Sequence, residues 1–259
     1  MSGFKKPLAG SSSGTIGLFS TEEGIRAIQS PVRVKILTVL NDRDLSFDEI
    51  VRLSGKAKST VSVHLRGLEQ DGIISGKADP KDSRKKIFSI RSSPLGNLSD
   101  GIRYIPDTDL DPAIFSKKDP FRFYRVMFRT IRVSLLVEGI NIDPVLHDAG
   151  FRIGEGIYPA IADTDLPSLL DKTSALWKKN KLGIIEIENE SPLIIRVYDC
   201  FECGDLPQLG RPACAFDSGV LKAVFSRFFE SDQQVTETAC YAMGDDHCRF
   251  LIESKVPGT

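Results

Sequence analysis

The sequence predicts an α+β protein in two parts: a small helical domain closed by a basic hairpin, and a larger α/β domain with a largely antiparallel sheet. Three observations carry this. Apolar residues recur at helical spacing in short segments between residues 30 and 69. Paired strand-like segments follow at 72–90, and again at 183–200 and 235–253. Charge divides along the same line. Residues 1–95 hold 16 Lys and Arg against 10 Asp and Glu, a balance of +6, so the other 164 residues carry −7. A basic first third joined to an acidic remainder implies an anionic partner for the first third only.

At 259 residues, 41% hydrophobic and 27% charged, the chain has the composition of an ordinary globular protein with room for two domains. No apolar run approaches the ~20 residues of a membrane span. The start, Met1-Ser-Gly-Phe-Lys-Lys-Pro, lacks the apolar core of a signal peptide. A cytoplasmic location is therefore expected, without a membrane partner. Thiols are reduced there, so clustered cysteines point to metal or redox chemistry rather than structural disulfides.

In order along the chain, Gly- and Ser-rich residues 1–20 read as a flexible arm, and a helix is expected from Thr21-Glu-Glu. Ser30-Pro31 caps a second helix whose Val32, Ile36, Leu37 and Leu40 share one face. Ser46 with Glu49 three residues on is a capping box, and Ser54-Gly55 ends that helix. The helix from Lys58 to Glu69 turns Val61, Leu65 and Leu68 inward. It leaves Lys58, Ser59, Thr60, Ser62, His64 and Arg66 outward. Two short helices about a Gly-containing turn form a helix-turn-helix, with the second free to enter a major groove. The hairpin over 72–90 turns at Asp79-Pro80-Lys81-Asp82 and carries Lys77, Lys81, Arg84, Lys85 and Lys86, a wing suited to backbone phosphates. The expected partner is double-stranded DNA, against the plainer reading of a helical bundle with a solvated charged loop.

Residues 28–90 resemble the winged helix-turn-helix domains of ArsR-type prokaryotic repressors. The matching stretches are Ser30-Pro-Val-Arg-Val-Lys-Ile-Leu, Ser59-Thr-Val-Ser-Val-His-Leu and Leu68-Glu-Gln-Asp-Gly-Ile-Ile. The resemblance implies major-groove reading by the helix from Ser59, and action as a homodimer. Several ArsR-type members bind metal through cysteines in this domain; this one has none there.

With the winged domain over 21–92, residues 93–120 read as a linker, rich in Pro and Gly, and 121–254 as the second domain. Within it, Phe121–Ile142 fits helix or strand. Helices are expected at 143–158, where Gly150 and Gly154 permit close packing, at 166–180 with Trp177, and at 217–229.

All five cysteines lie between residues 200 and 248. Glu237 and Cys240 fall on one strand, Cys248 at the start of the next, and Cys214 at the head of the preceding helix. Three thiolates and a carboxylate close a tetrahedral zinc site of structural type, because no position is left for water. Strict alternation puts Glu237 and Cys240 on opposite strand faces, so a bulge or strand end must separate them. Buried, unliganded thiols are the alternative.

Residues 120–254 resemble the 4-vinyl reductase family domain, a small-molecule-binding module of bacterial and archaeal regulators. The resemblance is carried by Gly150-Phe-Arg-Ile-Gly-Glu, by Cys214 with Phe216-Asp-Ser-Gly-Val-Leu, and by Glu237-Thr-Ala-Cys-Tyr-Ala-Met-Gly-Asp-Asp-His-Cys-Arg-Phe. Phenol-sensing regulators with this domain hold zinc through a Cys, a Glu and two further Cys, which implies Cys214, Glu237, Cys240 and Cys248 here. An ArsR-like head on this domain is the layout of the MsvR regulators of methanogenic archaea, which implies redox-dependent DNA binding.

Cys200 and Cys203 are then a surplus Cys-x-x-Cys pair, able to cycle between dithiol and disulfide or to join the zinc ligands. Asp199, Glu202 and Asp205 around them are expected to raise the thiol pKa. The leading expectation is a DNA-binding transcriptional regulator controlled by the redox state of these cysteines. The alternative is a winged-helix regulator sensing a small apolar ligand near Phe225, Phe228, Phe229 and Phe151, with zinc purely structural. Input from a redox protein fits the first. No nucleotide loop or Ser/His/Asp constellation is present, so an enzyme is not expected; His147 and His247 read as isolated surface residues.

Overall fold

The computed structural model describes residues 16–40, 43–80, 82–99 and 120–254. It divides into two compact units. The first holds the chain up to Gly101 together with Gly139–Asn141, and the second holds the remainder.

In the first unit, β1 (Ile16–Thr21) and β2 (Gly24–Ile28) form an antiparallel hairpin. This corrects two expectations. The part of the expected arm that lies within the described residues, 16–20, is strand, and Thr21 opens a turn rather than a helix. Gly24 has φ 113°, a backbone no helix contains, and the Thr21 hydroxyl donates to its carbonyl at 2.8 Å. A Thr-Glu-Glu-Gly run serves a hairpin as readily as a helix start. Residues 1–15 lie outside the described residues.

The winged fold then follows its expected order. Helix α1 (Pro31–Leu40) starts at the proline, β3 (Leu45–Ser46) is short, and α2 (Phe47–Ser54) carries the capping box. There Ser46 accepts from the Glu49 N–H, and the Glu49 carboxylate accepts from the Ser46 N–H at 2.8 Å. Gly55, at φ 66°, ends α2. Helix α3 (Lys58–Gln70) leads to β4 (Ile74–Asp79) and β5 (Asp82–Ile90), which with β3 make a sheet in the order β3-β5-β4. Ile36, Leu45, Ile50, Val61, Leu68 and Ile73 are fully buried between these elements.

Strand β6 (Ser93–Leu98) occupies the start of the expected linker and pairs with β1. Its Pro94 lies before the two residues that reach β7 (Ile140–Asn141), so the missing N–H faces no strand on that side. Residues 100–119 lie outside the described residues.

In the second unit, α4 (Pro120–Val137) settles the ambiguous stretch as helix. Helices α5 (Asp143–Ile161) and α6 (Leu166–Lys179) follow, then β8 (Ile184–Glu190), β9 (Leu193–Tyr198), α7 (Ala215–Phe228), β10 (Gln233–Ala239) and β11 (Cys248–Ser254). The sheet is wholly antiparallel, in the order β10-β11-β9-β8. Helices α5 and α7 cross almost backbone to backbone. A Cβ on Gly150 would stand 2.1 Å from the Phe216 carbonyl oxygen, and one on Gly219 would stand 2.1 Å from that of His147. That crossing seats the head of α7, and Cys214 with it, against the end of the sheet.

A candidate nucleic-acid face and a buried thiol–carboxylate centre

Helix α3 buries Val61, Leu65 and Leu68, which fixes its rotation and turns the opposite face outward. On that face Lys58, Ser59, Ser62 and Arg66 are exposed, and Thr60 and His64 are half-buried. Sequence reasoning passed over Val63, which is 68% exposed on the same face. A valine so placed offers a methyl contact to thymine, and it was missed because apolar residues are assigned inward by default.

On the hairpin, Lys77, Arg84, Lys85 and Lys86 are all exposed; Lys81 lies outside the described residues. Several of these cations have acidic neighbours. Arg84 Nε lies 3.1 Å from Asp82, Lys86 Nζ 3.6 Å from Glu69, and Lys58 Nζ 3.1 Å from Asp48. Exposed pairs of this kind contribute about 0–1 kcal/mol and yield readily to a phosphate. A groove of about 400 Å³ runs between α2, α3 and β5, with Ser62, Arg66, Arg84, Lys85 and Lys86 among its walls.

All five cysteines of the second unit are fully buried free thiols. Cys200 and Cys203 come from the turn after β9, Cys214 is the N-cap of α7, Cys240 follows β10, and Cys248 opens β11. The register of β10 on β11 shifts between Glu237 and Ala239. This bulge is the device the spacing required, and it brings Glu237 and Cys240 to one site. Beyond Cys240 a single 3-10 turn (Tyr241–Met243) and Gly244, at φ 103°, lead the chain back, while Asp245 accepts from the Cys240 N–H at 2.8 Å.

The sulfurs are close. Cys203 and Cys248 Sγ are 3.1 Å apart, Cys200 and Cys214 3.5 Å, Cys214 and Cys248 3.5 Å, and Cys214 and Cys240 3.9 Å. Glu237 accepts from the Cys214 N–H through Oε2 at 2.9 Å, and its buried Oε1 has no partner. Two four-ligand sets result, Cys200-Cys203-Cys214-Cys248 and Cys214-Glu237-Cys240-Cys248, each with its ligand atoms within 4.8 Å of one another.

The acidic residues around Cys200 and Cys203 do not act as expected. Asp199 and Asp205 both turn to Arg125 of α4, at 2.7 Å each. Glu202 is buried; it accepts from the Phe216 and Asp217 N–H groups at 3.0 Å and lies 3.4 Å from Arg132 Nη1. Burial lifts its pKa to about 8 even against the Arg132 charge. The thiols themselves split. Hydrogen bonds from Cys203, Cys214 and Cys248 hold Cys200 and Cys240 well below the usual thiol range. Burial drives Cys214 up, and the hydrogen bonds of Cys200 and Cys203 drive Cys248 up. The expected upward shift therefore fails at Cys200, because its nearest partners are thiols and not carboxylates. At Cys203 the pKa is raised, first through the hydrogen bond with Cys200. Glu237 is raised to about 9 by burial.

This donor set fits a soft divalent ion. A zinc–sulfur bond of about 2.3 Å in tetrahedral geometry implies sulfur–sulfur edges of about 3.8 Å, close to the separations observed. The orphaned Glu237 oxygen is the further sign, since a buried acceptor without a donor calls for a cation. Of the aromatic residues expected around a ligand, Phe225 is fully buried in the core and stacks on Phe229 at 6.3 Å. His147 is half-buried, and burial lowers its pKa, so the surface reading fails there. His247 contacts Asp246 at 2.6 Å. Among the described residues no helix is long and apolar enough to cross a membrane.

Residues 30–75 match the arsR-family model of bacterial regulatory proteins, and residues 193–254 match the 4-vinyl reductase domain model. Two uncharacterized proteins of Methanocaldococcus jannaschii are similar. One is 28% identical over 129 residues, 49% of this chain and 73% of the relative. The other is 38% identical over 85 residues, 32% of this chain and 53% of the relative. A solved vinyl-4-reductase family protein from the same organism is 18% identical, with a TM-score of 0.37 over 60% of this chain and 99% of its own. The phenol-responsive sensory domain of the activator PoxR is 14% identical, with a TM-score of 0.36 over 51% of this chain and 73% of its own.

Proposed function

From a chain that joins an arsR-family helix-turn-helix domain to a 4-vinyl reductase domain in the MsvR-like order, we infer a transcriptional regulator that binds double-stranded DNA and whose binding follows the redox state of the thiols in its second domain. Ser59, Ser62, Val63 and Arg66 read base edges in the major groove, and Lys77, Arg84, Lys85 and Lys86 contact phosphates. The regulator acts as a homodimer. Exposed Phe123, Met127 and Ile131, spaced four apart along α4, supply an apolar stripe for a second copy.

The observation that carries the redox reading is the contact of Cys203 with Cys248. Sulfurs 3.1 Å apart need close by only about 1 Å to reach a disulfide bond length. With a peroxide as oxidant, one thiol becomes a sulfenic acid as the peroxide O–O bond breaks and an alcohol or water leaves. The second thiol then displaces water to form the disulfide, so two electrons pass to the peroxide. In the reduced state Cys214, Glu237, Cys240 and Cys248 hold zinc, which supplies a tetrahedral staple at the end of the sheet. Oxidation of Cys248 removes one of its ligands and loosens the β10–β11 connection.

The test is binding of the purified protein to DNA from its own upstream region, with and without reductant, at one fixed salt concentration. A large reversible difference that is lost in Cys203→Ser supports the reading. Equal binding in both states overturns the redox part, and no binding in either state overturns the DNA-binding part.

A further inference from the structure

We propose that the thiol centre holds two metal ions of the zinc class, bridged by the Cys214 and Cys248 thiolates, with Cys200 and Cys203 completing one ion's shell and Glu237 and Cys240 the other's. The proposal rests on reading these residues as a metal centre, and it adds a second site to the four-ligand one.

The stoichiometry of ligands points there. The two four-ligand sets share two members, Cys214 and Cys248, and no others. Six ligands of which two are common is the composition that closes two edge-sharing tetrahedra, each ion taking two terminal and two bridging donors. The shared pair has the right separation, since Cys214 and Cys248 Sγ stand 3.5 Å apart, close to a tetrahedral edge. Terminal sulfurs lie against the shared pair on both sides. Cys200 is 3.5 Å from Cys214 and Cys203 is 3.1 Å from Cys248, while Cys240 lies 3.9 Å from Cys214.

Charge favours the same count. All five thiols are fully buried. A single divalent ion on one set would leave the other set's two thiols as protonated, unliganded groups in direct contact with metal-bound thiolates. Two divalent ions offset most of the charge of five thiolates and a carboxylate, leaving a net −2. Polar groups stand ready around that charge: the Cys214 N–H donates to Glu237, and the Arg132 guanidinium, 3% exposed, lies against Glu202 of the Cys200–Cys203 turn. Thiolates commonly bridge soft ions because sulfur keeps lone pairs after binding one.

The experiment is metal analysis of the full-length protein purified under reductant, with X-ray absorption at the zinc edge. The expected result is two zinc ions per chain and a zinc–zinc scattering shell beyond a sulfur-dominated first shell. The double variant Cys200→Ser/Cys203→Ser is expected to keep one ion and lose the zinc–zinc shell. A wild-type ratio of one without that shell overturns the second site and leaves the four-ligand site standing. A ratio near zero after zinc loading overturns both. Should the double variant fail to fold, the wild-type scattering shell decides alone.

Discussion

The Cys203 and Cys248 sulfurs lie 3.1 Å apart although 45 residues separate them in the chain. Cys203 sits in a turn after one strand and Cys248 opens another. Their meeting therefore depends on β9 and β11 being paired, through Cys248 opposite Val197. Thiol chemistry and sheet register are thus coupled, and Cys248→Ser is expected to damage more than any other cysteine substitution. It removes a member of both four-ligand sets. Compared with Cys240→Ser, it should release more zinc to a chromophoric chelator and lower the Tm further. Equal losses in the two variants would count against a shared ligand.

Arg132→Met tests the buried pair behind the centre. Arg132 donates to the Ala213 carbonyl at 2.9 Å and lies 3.4 Å from Glu202, with both side chains almost fully buried. Removing one partner of such a pair costs about 3–5 kcal/mol, because a charge or an unsatisfied group is left inside. Urea denaturation of the zinc-loaded protein should show a midpoint shift of that order. Arg132→Met/Glu202→Gln should recover part of it.

Two glycine substitutions should move stability in opposite directions. Gly219→Ala places a Cβ against the His147 carbonyl and the Phe151 N–H at the α5–α7 crossing, where only backbone movement can make room. Overpacking of this kind costs about 1–3 kcal/mol. Gly156→Ala, in α5 with open space around it, should stabilise by about 0.5–1 kcal/mol through helix propensity. Thermal melts of both variants against wild type read the two signs.

Acid sensitivity has one named contributor in the sheet. Hydrogen bonds from Arg249 and then Arg196 hold the Glu188 carboxyl at about 2, below its ordinary 4.5. A depressed carboxyl stabilises the fold above its unfolded pKa, and the contribution fades as pH falls through the folded value. The Tm difference between wild type and Glu188→Gln should be full at neutral pH and close between about pH 4.5 and pH 2. A difference unchanged down to pH 2 would rule Glu188 out as the contributor.

For the proposed DNA face, Lys85→Ala should weaken binding alike on all sequences and reduce the salt slope by about one, as for a lost phosphate contact. Arg66→Ala and Val63→Ala should instead narrow the gap between target and unrelated DNA. Titrations at several salt concentrations separate the two behaviours.

Much of this was legible in the sequence where local chemistry is strong. Ser46 with Glu49, Pro31 at a helix start and Gly55 at a helix end each name a backbone conformation on their own. The odd spacing of Glu237 and Cys240 even demanded the bulge at Thr238. Strands β1, β2 and β6 were hidden because their pairing is long-range: Gly17 opposite Asn97 leaves no local trace, and Ser- and Gly-rich neighbours resemble a linker. The environment of Cys200 and Cys203 was hidden for a related reason. Their adjacent carboxylates are drawn off by Arg125 and Arg132, and only the folded chain brings those arginines to the turn.

The thiol centre also gives the sheet a polarity. Cys200 follows the end of β9, Cys240 the end of β10, and Cys248 begins β11, so every cysteine lies beside one edge of the strand ends. At the opposite ends Gln233 faces Ser254, with Nε2 3.3 Å from the serine hydroxyl, and Leu193 pairs with Glu190. That far margin is held by hydrogen bonds and packing alone. Loss of the centre therefore acts like opening the clasp of a book whose spine stays sewn. Amide exchange should quicken around 239–249 while residues 185–195 keep their protection, and the reduced arrangement can be restored without refolding the domain.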